Sequence, residues 1–169
     1  MMTESLSSAP QSLDELASLS ASELAVIYQR AKTPRVEDLD GRVRGRMLAI
    51  PVIESVPVLP WLLRHYAASR FFPWQGKTFR TLSHNTGEAI NHFLGDRFEC
   101  YRLKTFVGHS NVGDFEAVHF DHDNPRNPFF IRIIKDEVRE VAPGLWLGLS
   151  FLKLGRLFVF ALYFALSKR

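Results

Sequence analysis

Leu145-Trp146-Leu147-Gly148-Leu149-Ser150-Phe151-Leu152-Lys153-Leu154-Gly155-Arg156-Leu157-Phe158-Val159-Phe160-Ala161-Leu162-Tyr163-Phe164-Ala165-Leu166 is apolar over nearly its whole length. It has the length of a membrane span, but Lys153 and Arg156 stand in its middle. Each charge costs roughly 2.5–3.5 kcal/mol at a bilayer centre. Placing Leu154-Gly155-Arg156 in a tight turn removes that cost and leaves two strands, 145–152 and 157–166. Both strands are apolar on both faces. A sheet with one wet face alternates apolar and polar residues, so these strands must be covered on both sides. A closed or nearly closed sheet, with helices outside it, meets that requirement.

The same punctuation extends backwards from this hairpin. Candidate strands fall at 42–49, 77–83, 88–93, 98–107, 114–121 and 129–140, joined by short connections. With the last two they make about eight antiparallel strands, the pattern of a mainly β barrel or sandwich. Ser12 with Glu15 and Ser20 with Glu23 have capping-box spacing. Leu24, Ile27, Tyr28 and Ala31 follow at helical spacing, and Thr33-Pro34 stops that helix. Pro51, Pro57 and Pro60 exclude a central strand between them, and Pro60 opens a short helix through Ser69. The expectation is therefore two or three helices, within 12–32 and 60–69, flanking the barrel. Residues 1–11 are Ser-rich and read as disordered. The remainder, 12–169, reads as a single domain: a helical and extended part to residue 70, then the barrel over 71–166.

The 169 residues suffice for a substantial core, and 46% of them are apolar. The net charge of +3 is spread rather than gathered into a stripe, so no nucleic-acid partner is expected. Arg42, Arg44 and Arg46 read as a solvated strand face. Cys100 is the single cysteine, which excludes an internal disulfide. With no basic-then-apolar leader at Met1, a cytoplasmic location and no stable membrane insertion are expected.

Phe71-Phe72-Pro73-Trp74-Gln75-Gly76-Lys77 combines an aromatic pair, turn formers and a Trp at a strand mouth. Together with the strand count, this segment resembles the lipocalin-like, or calycin, small bacterial barrels, although here Trp74 precedes Gly76. The resemblance implies an internal cavity for a hydrophobic ligand and a structural Trp74 at the closed end.

Candidate site residues follow from that architecture. In the last strand, Phe158, Phe160, Leu162, Phe164 and Leu166 share one face; Leu157, Val159, Ala161, Tyr163 and Ala165 share the other. We take the smaller set as lining the cavity, which brings the Tyr163 hydroxyl inside; the reverse is the alternative. Arg132 lies within Phe129–Ile134, too apolar a setting for an unpaired charge, so it calls for a cross-strand carboxylate or a ligand head group. His119 and Trp146 complete the expected set of polar groups facing a ligand. His119-Phe120-Asp121-His122-Asp123 resembles a metal cluster, but the Asn124–Pro128 turn follows and His122 reads as exposed, so no metal and no cofactor are expected. Lys135 to Glu140 reads as a soluble rim.

The expected function is binding of a small hydrophobic molecule, a lipid or isoprenoid for example, inside the barrel. An isomerase, cyclase or hydratase acting on an apolar metabolite needs the same cavity, and the sequence does not separate enzyme from binder. A haem-binding barrel with His119 or His92 as axial ligand is the further alternative.

Overall fold

The computed structural model describes residues 9–51, 73–94 and 97–168. The helix expected at 60–69, most of the N-terminal serine-rich segment and Phe71-Phe72 lie outside the described residues. Eight strands close into an antiparallel barrel in which each pairs with its sequence neighbours and the last pairs with the first. They are β1 (Gly41–Ala49), β2 (Trp74–Ser83), β3 (Thr86–Phe93), β4 (Phe98–His109), β5 (Glu116–Asp121), β6 (Ile134–Ala142), β7 (Leu145–Leu154) and β8 (Leu157–Ser167). Closure runs through Arg44 opposite Ser167 and Met47 opposite Phe164. The wall therefore has no free edge.

Before the barrel come α1 (Leu13–Ala17), α2 (Ala21–Arg30) and a 3-10 turn, η1 (Val36–Leu39). Ser12 accepts from the Glu15 amide, and Ser20 and Glu23 form the full capping box at α2. Leu16, Leu24 and Tyr28 pack on the outer face of the wall, against Leu147, Leu149, Phe151, Tyr163 and Ala165. Inside, Val36 and Leu39 of η1 join Val43, Phe79, Leu103, Phe120, Val138, Trp146 and Leu166 in a second core. That core fills the end of the barrel where β1 begins. The strand β7, apolar on both faces, is thus covered on both, by helices outside and by the filled interior.

Three expectations need correction. Phe129–Arg132 is a helical turn, α3, rather than the start of a strand; Pro128 stands at its N-cap and β6 begins only at Ile134. Short apolar runs carry too little periodicity to tell the two apart. On β8 it is the large set, Leu162, Phe164 and Leu166, that turns inward, while Tyr163 and Ala165 lie beneath α1 and α2. A bulge between Phe160 and Leu162 reverses the alternation, so Phe160 joins Phe151 and Tyr163 outside. Finally, Asp136, Glu137 and Arg139 of the supposed rim are buried: α2 covers Glu137 and Arg139 on the outer face of β6, and Asp136 faces the barrel interior.

Candidate functional site

At the end away from η1 the described residues leave the interior open. A cavity of about 300 Å³ is lined by apolar side chains, among them Met47, Phe93, Ile131, Ile134, Leu162 and Phe164, with Trp74 and Tyr101. Two glycines shape its floor. A Cβ on Gly45 would stand 2.4 Å from the Trp74 ring, and one on Gly148 would stand 2.2 Å from the Phe164 ring. Each ring thus lies directly on backbone, and the two meet edge to face at 5.8 Å. Tyr101 sits at a bulge in β4 with φ 59°, and that left-handed residue redirects its side chain into the cavity.

The polar groups of the cavity come from five different places in the chain. Lys77 on β2 donates to Asn91 Oδ1 on β3 at 2.6 Å, and the Trp74 Nε1 donates to the same oxygen at 3.1 Å. The Asn91 amide nitrogen in turn donates to the Tyr101 carbonyl at 2.9 Å. Lys77 Nζ stands 3.8 Å from Asp136 Oδ2 on β6. Ser150 on β7 donates to the other Asp136 oxygen at 2.7 Å. His122, just past β5, has Nε2 4.0 Å from Asp136 and Nδ1 3.2 Å from the Ile134 carbonyl. The side chains of Lys77 and Asp136 are 3% and 7% exposed.

Burial governs the protonation of all three ionisable groups. It pushes the Lys77 ammonium down to about 8, against the opposing pull of Asp136. It raises the Asp136 carboxyl, with Lys77 and Ser150 opposing. It holds His122 well below its ordinary value, and the charge on Lys77 adds to that effect. His122 is therefore neutral at physiological pH. The Lys77 ammonium lies 5.4 Å from the Trp74 ring and 5.6 Å from Phe120, so its remaining surroundings are aromatic faces rather than water.

None of the four residues singled out from sequence lines this cavity. Arg132 is on α3, half-exposed, and donates from Nε to Asp123 Oδ1 at 2.7 Å; its partner is the loop after β5, not a ligand. Tyr163 lies outside the wall, 4.9 Å from Phe160. His119 stacks on Phe106 at 5.2 Å on the outer surface, with Nε2 2.9 Å from the His109 carbonyl. Trp146 is inside but belongs to the filled core. His92, the other histidine considered for haem, points outward, 2.6 Å from Thr78 Oγ1. Trp74 does not plug the closed end; it walls the cavity at the opposite one.

Of the histidine-rich run, His122 is the buried member and Asp121 and Asp123 are held by Lys135 and Arg132. Among the described residues, no three His, Cys, Asp or Glu side chains converge to hold a metal ion. No helix among them is long and apolar enough to cross a membrane. The residues that reasoning from sequence missed carried one usable signal. Lys77 shares its strand face with Phe79, and Asp136 shares its face with Val138, so each is a charge at a position of core parity.

No family model matches the chain. No curated protein matches it in sequence. Among solved structures it is similar to a protein from Thermomonospora curvata known from a crystal structure, with 15% identity over 89% of this chain and 88% of that one and a TM-score of 0.53. At that identity the likeness speaks for the fold alone.

Proposed function

We propose that the barrel binds a small, mostly apolar molecule in the cavity at its unfilled end, with one polar handle held at the floor. The observation that carries this reading is the contrast within one cavity between its apolar walls and the single polar cluster of Lys77, Asn91, Asp136, Ser150 and His122. Apolar walls supply affinity, and a few convergent polar groups fix orientation. Lys77 has donors beyond the one given to Asn91, which suits a carbonyl, hydroxyl or carboxylate oxygen on the ligand. A lipocalin-like relationship is supported by strand number and order, and by nothing finer.

The test is a titration of delipidated protein with an environment-sensitive anilinonaphthalene dye, alongside native mass spectrometry of the protein as purified. One saturable site is expected, weakened at least about tenfold by Leu162→Trp, whose ring fills the space the ligand needs. Dye binding that never saturates, or that is indifferent to Leu162→Trp, would overturn the reading.

The second reading is an enzyme, an isomerase, cyclase or hydratase, acting in the same cavity. The neutral His122 beside the Asp136 carboxyl favours it, because two titratable groups with displaced protonation are what proton transfer requires. Turnover lost in both His122→Gln and Asp136→Asn, with dye binding retained, is its signature.

A further inference from the structure

Lys77 is the least expected residue in this interior. It is a primary amine in the wall of an apolar cavity, with its carbon stem buried and its nitrogen reaching the space a ligand occupies. Among the described residues, one hydrogen bond given to Asn91 and one carboxylate at 3.8 Å fix the position of that nitrogen. A structural ion pair needs neither a cavity at its head nor a carboxylate drawn off by a second donor, as Asp136 is by Ser150. Lys77 reaches across the barrel interior from β2 to meet the Asp136 carboxyl of β6 and the imidazole of His122 just past β5, and all three side chains are buried.

We infer that Lys77 captures an apolar aldehyde or ketone as a Schiff base, with Asp136 as the proton carrier. This rests on the cavity-binding reading and names the ligand class for that same site. In the first step the Lys77 nitrogen lone pair adds to the carbonyl carbon, and the C=O π bond opens. A proton leaves the nitrogen and reaches the oxygen through Asp136, giving the neutral carbinolamine. In the second step the C–O bond breaks, the hydroxyl departs as water with the Asp136 carboxyl proton, and the nitrogen lone pair closes the C=N bond. Amine, carbonyl compound and carboxylic acid thus become iminium, carboxylate and water, with atoms and charge balanced. Asp136 is left as the counter-ion of the iminium. His122, a neutral imidazole at 4.0 Å from Asp136, positions that carboxyl.

The protonation of the site agrees with this chemistry. Lys77, brought down to about 8 by burial, holds about two-hundredfold more neutral amine at pH 7 than an exposed lysine with its ordinary value near 10.4. The raised Asp136 retains its proton more readily than a surface carboxyl.

The test incubates the full chain with octanal and sodium cyanoborohydride at pH 7, followed by intact mass and peptide mapping. Octanol, which cannot form an imine, serves as ligand and competitor. The expected result is one reduced adduct on Lys77, formed at least about tenfold faster than on Lys32, Lys104, Lys135, Lys153 or Lys168. Octanol slows labelling of Lys77 and leaves the surface lysines unaffected. In Lys77→Met the fast adduct disappears; the octanol competition in the unaltered protein stands whether or not that variant folds. Saturable octanol binding without preferential labelling of Lys77 overturns the capture and leaves the binding reading intact. Neither octanol binding nor preferential labelling overturns both.

Discussion

Asp136 and Glu137 are neighbours on β6, both buried, and they face opposite sides of the barrel wall. Glu137 points outward beneath α2 and is fully enclosed. Its two oxygens accept from the Tyr28 hydroxyl at 2.9 Å, the Ser110 hydroxyl at 2.6 Å, and the Asn111 amide and side chain at 2.9 and 2.8 Å. Beside it, Arg139 donates to the Tyr28 and Gln29 carbonyls at the end of α2 and stacks on Phe115. Asp136 points inward and, among the described residues, receives one hydrogen bond, from Ser150, with Lys77 at 3.8 Å and His122 at 4.0 Å, beyond hydrogen-bond distance. A buried carboxylate with every lone pair used holds a structure together. One with spare capacity, facing a cavity, costs stability and is retained for what it can bind.

The largest effect expected from this comparison is on the outer carboxylate. Glu137→Ala leaves four donors, from Tyr28, Ser110 and Asn111, without their partner and should destabilise the protein by about 3–5 kcal/mol, read from chemical denaturation. A loss under 1 kcal/mol would mean that α2 is not anchored through this residue.

The inner pair should show itself through pH. The folded state lowers Lys77, so between about 8 and 10.5 the unfolded chain binds more protons and stability rises with pH. The rise is about 3 kcal/mol in all, at 1.36 kcal/mol per pH unit of displacement. Tyr28, pushed up by burial and by Glu137, works in the opposite direction above pH 10. The measurement is therefore the difference between the protein and Lys77→Met, from which Tyr28 cancels. A flat difference curve would show that Lys77 is not desolvated.

Replacing the inner pair together, Lys77→Met with Asp136→Leu, should stabilise the fold by about 1–4 kcal/mol while abolishing dye binding. Denaturation and titration of the same sample test this, and a destabilised double variant would place Asp136 with Glu137 among the structural groups. Smallest is Tyr28→Phe, which removes one donor of four from Glu137 and should cost about 1 kcal/mol, with the cavity and its dye affinity unchanged.

The two carboxylates also show where reasoning from sequence reached its limit. Lys135 to Glu140 alternates in sign and looks like a wet rim, yet α2 lies over one side of it and the cavity over the other. Local signals served well elsewhere. The capping serines Ser12 and Ser20, the Gly155 turn and the β1 to β5 boundaries are set by residues within a few positions of one another. The cavity is different, since Lys77, Asn91, His122, Asp136 and Ser150 are brought together from segments far apart in the chain. Arg132 is expected inside because its apolar neighbours read as a strand, and Tyr163 because the smaller face of the last strand is taken as the cavity face. The first segment is a helical turn, and on the second it is the larger face, Leu162, Phe164 and Leu166, that turns inward.

The sequence by itself determined that strands dominate, where most of them start and stop, that the final hairpin must be covered on both faces, and how the N-terminal helices begin. These follow from side-chain period, turn chemistry and capping, all of which act over a few residues. Only the tertiary structure decided which face of each strand is inside, that one end is filled while the other holds a cavity, and which charges meet there. Alternation specifies that neighbours face opposite ways but not which way is inward. That choice is made by closure of the sheet and by its bulges, which the packing of the whole barrel selects.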